Sequence, residues 1–293
     1  MALVGALACC GASGCGDGGA GSHGHGSSAN AHSSPAGASA PADGGSSPAS
    51  RAASGLPSAG AQAAELHRLT ALGLPVYCAG HQGHLVGLTF DDGPGPYTAL
   101  ALRKLRKHHV RATFFVVGKE LVNGPTRPRA ERAIGAVGDH TWTHPFLPGL
   151  SAGQVHDELA RTQMAVSRAS GAPVTLFRPP YGARSAAIDR QSQALGMVEI
   201  LWNVDSRDSE GADYAGIAGN VEQGLAPGSI ILMHENRGQT IRALLTILPA
   251  LARHHVRAVS IPELLAADPP SESQLRAGPQ GCPLVGASPN GGG

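Results

Sequence analysis

Leu85-Val86-Gly87-Leu88-Thr89-Phe90-Asp91-Asp92-Gly93-Pro94 decides the fold. Residues 85–90 are a short apolar run bounded by a turn-forming Gly-Pro pair, so they read as a buried strand that delivers two carboxylates at its carboxyl end. Working outward, residues 97–107 carry Leu100, Leu102 and Leu105 at helical spacing, and 112–117 (Ala-Thr-Phe-Phe-Val-Val) is a second strand. Residues 152–170 form a long amphipathic helix with Ser151 as its N-cap. Further on, 176–178 is a short strand, 185–195 a helix ending at Gly196, 197–204 a strand, and 214–224 a helix. Residues 229–234 are a strand, 240–254 a helix and 256–260 a last strand. Alternating β and α units imply an α/β fold with a parallel sheet, either open or closed into a barrel; periodicity alone does not separate the two. No internal repeat is visible.

Composition narrows the function classes. The 293 residues allow one large domain or two small ones, and with 15% charged residues and a formal net charge of +1 there is no basic face of the kind nucleic acid requires. Residues 1–15 read as a signal segment: a short apolar run, too short for a membrane span, followed by Ala12-Ser13-Gly14-Cys15, which looks like a bacterial lipoprotein cleavage site. Cys15 would then carry lipid and attach the protein to a membrane, placing it in the bacterial cell envelope or outside the cell. Residues 16–60 are Gly, Ser, Ala, Pro and His with almost no large apolar side chain, and read as a disordered linker in which His23 and His25 are solvated. Residues 61–283 form the folded domain and 284–293 a flexible tail. Cys78 and Cys282 bracket that domain; in an exported protein such a pair suggests a disulfide tying its ends together.

The polar residues of interest sit where strands end. Asp91 and Asp92 follow the first strand, Arg178 ends another, Asp205 and Asp208 follow a third, and His234 ends a fourth. Parallel α/β folds build their sites at this carboxyl edge. Two adjacent carboxylates cannot both point the same way along a strand, so one of Asp91 and Asp92 can bind a cation while the other faces a substrate. In His140-Thr141-Trp142-Thr143-His144 a spacing of four places both imidazoles on one face if the segment is helical, a frequent way of presenting zinc ligands. Two His and one carboxylate leave positions open for water and substrate, the layout of a catalytic metal. Arg178-Pro179-Pro180-Tyr181-Gly182 is stiffened by its prolines, so the Tyr181 backbone N–H can stabilise an oxyanion and Arg178 can orient a carboxylate. A carboxylate beside His234 would orient it and raise its pKa, suiting it to donate a proton to a leaving group.

Five segments taken in order, Thr-Phe-Asp-Asp-Gly, His-Thr-Trp-Thr-His, Arg-Pro-Pro-Tyr-Gly, Asp-Ser-Arg-Asp and Leu-Met-His-Glu, resemble the motifs of the polysaccharide deacetylases, carbohydrate esterase family four. The likeness runs over roughly residues 85–265. It implies a distorted (β/α) barrel of about seven parallel strands. It also implies Asp91 as general base, Asp92, His140 and His144 as ligands of a divalent metal, Arg178 holding Asp91, the Tyr181 N–H meeting the oxyanion, and His234 as general acid tuned by Asp208. Zinc suits such a donor set, and cobalt or nickel would also fit. Ser209 stands where the family's fourth motif usually has Trp, which lines the acetyl pocket, and Glu235 where an Asp is common. The expected activity is removal of N-acetyl groups from an N-acetylglucosamine-type polymer, peptidoglycan first and chitin next, with no protein partner. An O-acetyl xylan esterase and a catalytically degenerate sugar-binding surface protein are the alternatives. A magnesium phosphatase would rest on the Asp pair alone and leave His140 and His144 unexplained.

Overall fold

β1 (Leu85–Gly93) is the spine of a curled parallel sheet in the computed structural model, which describes residues 55–283. The other strands are β2 (Thr113–Val116), β3 (Ala136–Asp139), β4 (Leu176–Phe177), β5 (Val198–Glu199), β6 (Val204–Asp205), β7 (Ile230–His234) and β8 (Arg257–Val259). Seven of them follow the order β5-β4-β3-β2-β1-β7-β6, with every pairing parallel. β8 pairs with the first residues of β1, and just beyond it the Ile261 N–H donates to Thr113 Oγ1. The helices are α1 (Ala59–Leu72), α2 (Thr98–Lys107), α3 (Arg127–Arg132), α4 (Ala152–Ser170), α5 (Ala186–Ala194), α6 (Tyr214–Gln223), α7 (Gly238–Arg253), α8 (Ile261–Ala267) and α9 (Glu272–Ala277). This is the distorted barrel expected. The signal-like segment with Cys15, most of the linker and the C-terminal tail lie outside the described residues. α1 begins at Ala59, inside the stretch read as linker, with Ser58 capping it through Oγ.

Successive residues of β1 face opposite sides. Val86, Leu88 and Phe90 join α2, α6 and α7 in the core outside the sheet. Gly87, Thr89 and Asp91 face the concave side, where α1, α8 and α9 supply Leu66, Leu69, Ile261, Leu264, Leu265 and Leu275. A Cβ on Gly87 would lie 2.7 Å from Ile261 Cδ1, so α8 approaches closely enough that any side chain there would displace the Ile261 tip. A third cluster packs α4 and α5 on the outer face through Val155, Leu159, Val166 and Ile188 against Val116, Val137 and Phe177.

The stretch 197–204, expected as one strand, is two. β5 ends one edge of the sheet and β6 the other, joined by residues 200–203, which cross the open seam of the barrel. Their N–H groups find backbone acceptors, Ile200 on Phe177, Leu201 on Val76 and Asn203 on Ile230, but the Ile200 and Leu201 carbonyls need other donors. Arg178 provides them from inside: Nε to Ile200 O at 3.0 Å and Nη2 to Leu201 O at 3.0 Å. α3 and β3 have no counterpart in the sequence reading; β3 is a short Ala-Val-Gly-Asp run with a glycine where Phe115 approaches.

Cys78 and Cys282 are joined, with Cα atoms 5.8 Å apart and a sequence separation of 204. A cross-link closing so long a loop removes many unfolded conformations. The double substitution Cys78→Ala with Cys282→Ala is expected to cost about 2–5 kcal/mol, read as a lower midpoint in urea unfolding with activity retained below that midpoint.

Candidate active site

β1 carries the two carboxylates to the mouth and separates them by a backbone twist. Asp91 keeps strand geometry and is buried, whereas Asp92 has φ 68°, a left-handed conformation that aspartate tolerates better than most residues. Their side chains therefore diverge, as two neighbouring carboxylates must. Asp91 Oδ1 accepts from Arg178 Nη1 at 2.8 Å, and Arg178 Nη1 also donates to Thr89 Oγ1 at 2.7 Å. Asp92 turns its Oδ1 towards both imidazoles, 3.3 Å from His144 Nε2 and 3.7 Å from His140 Nε2, while Asn236 Nδ2 holds Oδ2 at 3.2 Å.

The His140–His144 segment is not helical, which corrects the geometry by which the pair was first placed. Thr141 and His144 both have positive φ, 65° and 63°, and fold the loop so that the rings meet edge to face with centroids 4.8 Å apart. Thr141 N–H donates to Asp139 Oδ1 at 2.7 Å, pinning the turn to the end of β3. His140 Nδ1 lies 2.7 Å from the Arg178 carbonyl. A carbonyl only accepts, so Nδ1 carries the proton and Nε2 presents its lone pair to the mouth. Burial first, and His140 second, lower the pKa of His144, which also favours a neutral, donating ring. Ligand atoms of Asp92, His140 and His144 all lie within 4.8 Å of one another. Two imidazoles and a carboxylate at that spacing fit a divalent ion such as zinc.

Across the mouth, His234 Nδ1 is 2.6 Å from Asp208 Oδ1, and Asp208 Oδ2 accepts from the His234 N–H at 2.8 Å and Thr240 Oγ1 at 2.6 Å. Burial by itself would lower the His234 pKa, but the hydrogen bond and charge of Asp208 outweigh it, and the net shift is upward. For Asp208, burial pulls upward and is overcome by the His234 and Thr240 hydrogen bonds, so its pKa falls. Asp208→Asn should leave the fold intact, move the alkaline limb of the pH–rate profile to lower pH and cut kcat about 10²-fold. An unmoved limb would separate His234 from proton donation.

Tyr181 stands at the rim with φ 62°, largely exposed, its ring edge-on to His144 at 4.7 Å and its hydroxyl 3.2 Å from His144 Nδ1. Asp205 does not join the cluster; its Oδ1 accepts from the Arg207 N–H and closes a surface turn. Thr89, in the Thr-Phe-Asp-Asp-Gly motif, supports Arg178; Asn236 and Thr240 also support the site and went unread in the sequence. Each of the latter two contacts a site residue through the fold, with no motif of its own.

Glu235, next to His234, is wholly buried against Gly93, where any Cβ would strike its carboxyl. Burial pushes its pKa up to about 8, so it is neutral over much of the ordinary range. A folded-state pKa above the unfolded value lends stability at low pH that is lost as pH rises from about 4.5 through about 8. Glu235→Gln keeps the shape without the charge, and should raise stability at pH 9 relative to the parent by roughly 2 kcal/mol or more while changing it little at pH 5.

Residues 79–200 match the family model described as polysaccharide deacetylase. The chain is 39% identical over 159 residues to a bifunctional xylanase/xylan deacetylase of Cellvibrio japonicus, covering 54% of this chain and 23% of that protein. It is 35% identical over 198 residues to a chitooligosaccharide deacetylase of a Bradyrhizobium strain, covering 61% of this chain and 90% of that one. It superposes on the crystal structure of the Bc1960 peptidoglycan N-acetylglucosamine deacetylase with a TM-score of 0.63 at 29% identity, over 65% of this chain and 92% of that chain. The chain thus spans under a quarter of the xylan-active relative and nearly all of the chitooligosaccharide one. Matched motifs, barrel and relatives agree, and the chain belongs to the polysaccharide deacetylase family.

Proposed function

We propose that this chain hydrolyses N-acetyl groups from an N-acetylglucosamine-type polymer, with peptidoglycan as first candidate and chitin-like oligomers as second. The observation that carries the reading is the convergence of the Asp92, His140 and His144 donors between Asp91 on one side and the Asp208–His234 pair on the other. A divalent ion held by the three ligands would polarise the acetamide carbonyl and make an attacking water more acidic. With Arg178 occupying Asp91 Oδ1, the oxygen open to take that water's proton is Oδ2. With Nδ1 committed to Asp208, His234 Nε2 is the atom left to protonate the departing sugar amine. The Tyr181 backbone N–H, at the rim, is the proposed donor to the oxyanion.

Two of the relatives named above are a chitooligosaccharide deacetylase and a peptidoglycan N-acetylglucosamine deacetylase, which supports the N-acetyl substrate. A second reading, O-acetyl removal from xylan, rests on the xylan deacetylase at 39% identity. Acetate release from peptidoglycan, chitooligosaccharides and acetylxylan, measured side by side with and without chelator, tests both. The proposal expects chelator-sensitive release from an amino-sugar substrate that is lost in Asp91→Asn. Release from acetylxylan alone would select the ester reading, and binding without release from any substrate would select a sugar-binding protein.

A further inference from the structure

The chain's charge is nearly balanced, yet the end of the barrel opposite the site carries a cluster of cations without acidic partners among the described residues. In a parallel sheet each connecting helix runs back against the strands, so helix C-termini collect at the end opposite the site. The mouth carries both signs: Asp91, Asp92 and Asp208 in the site, Asp205 ending β6 and Glu210 and Asp213 after it, with Lys119, Arg207 and Arg237 on the neighbouring loops. The opposite end is cationic. Arg103, Arg106 and Lys107 are exposed in the last turns of α2, Arg129 and Arg132 in α3, and Arg257 opens β8 beside Leu85 at the start of β1.

The α2 and α3 cations lie on neighbouring helices, and Arg257 sits at the same end of the sheet. α2 packs between α3 and α7, and Arg106 Nη2 reaches the Ala130 carbonyl of α3 at 3.4 Å. Among the described residues, none of the six makes an ion pair; the acids bordering this end, Glu222 and Glu263, are already held by Arg253 and Arg111. One cation at each helix C-terminus would complement the helix dipole. Three on the short helix α2, joined by two on α3, go beyond that need.

The chain also enters the fold here. Gln62, in the first turn of α1, lines the same cleft as Arg132 and Gly135, just ahead of β3. The sequence leading up to α1 runs back to Cys15, the residue whose setting reads as a lipid-attachment site.

We propose that this basal face docks on an anionic phospholipid surface, which orients the metal-binding mouth away from the bilayer and towards polymer. Attraction of clustered Lys and Arg to an anionic leaflet is additive over short range and screened by salt. The proposal is independent of the substrate reading, since it concerns no residue of the site.

The test is co-sedimentation of the full chain, produced without lipid modification, with vesicles of phosphatidylglycerol and phosphatidylcholine or of phosphatidylcholine alone. The parent should sediment with the anionic vesicles only and be released by high salt. Arg103→Gln, Arg106→Gln, Lys107→Gln and Arg129→Gln combined should lower the bound fraction at least about tenfold, with unchanged circular dichroism and unchanged acetate release from a soluble oligosaccharide. Arg190→Gln and Arg242→Gln combined, which remove charge on α5 and at the start of α7, should bind as the parent does. Equal binding to neutral vesicles, undiminished binding by the basal variant, or equal loss in the control variant would overturn the proposal. So would equally tight binding of soluble polyglycerol phosphate at matched phosphate, which would make the partner a polyanion in general rather than a bilayer.

Discussion

Arg178→Met is expected to lose both the fold's margin of stability and the activity. The arginine is fully buried and its fork is spent four ways: on Asp91, on Thr89 and on the Ile200 and Leu201 carbonyls that cross the seam between β5 and β6. Removing it leaves a buried carboxylate without its cation and two carbonyls without donors, a loss of about 3–5 kcal/mol. For a domain of this size that lowers Tm by roughly 10 °C. The Asp91 carboxylate, no longer fixed by the guanidinium, loses the orientation a base needs, so kcat falls as well. Adding Asp91→Asn should restore part of the stability and none of the activity, because the orphaned charge is then gone. A single variant with parental Tm would show that the seam does not depend on this side chain. Arg178→Lys keeps the charge but not the fork, and should fall between the two.

Asp92→Asn has the opposite profile. Asparagine accepts the left-handed backbone that Asp92 adopts at φ 68°, and its side chain is only partly buried, so stability should change by less than about 1 kcal/mol. Its Oδ1 faces both imidazoles, and without the negative charge the three-donor set is crippled for a divalent cation. Metal affinity should fall at least about 10²-fold and acetate release about 10³-fold or more. Titration calorimetry with zinc, set against a thermal melt of the same sample, separates the two effects. Loss of stability matching that of Arg178→Met would mean that Asp92 is structural.

How far the sequence reaches depends on what each residue answers to. β1 was legible because an apolar run ending in Asp-Asp-Gly-Pro satisfies burial and turn formation at once, both local rules. The α4 helix was legible to the residue, since Ser151 and Gln154 make the capping box that starts it and Gly171 ends it in left-handed geometry. The split of 197–204 was not legible. Apart from Glu199 and Asn203 its residues are apolar, and only closure of the barrel places β5 and β6 at opposite edges. The His140–His144 pair shows a right destination reached by a different path: a spacing suited to one helix face is realised by a loop with two left-handed residues. Asn236 and Thr240 were invisible for another reason. Their contacts with Asp92 and Asp208 join positions 144 and 32 residues apart, and nothing local marks a residue for such a partner.

The most direct measurement is the metal content of the purified full chain, by mass spectrometry under native conditions, for the parent and for Asp91→Asn, Asp92→Asn and His140→Ala. The account requires one divalent ion per chain in the parent, retained in Asp91→Asn and lost in Asp92→Asn and His140→Ala. A parent that takes up no stoichiometric ion when zinc, cobalt or nickel is offered, or an Asp92→Asn chain that keeps its ion, contradicts it.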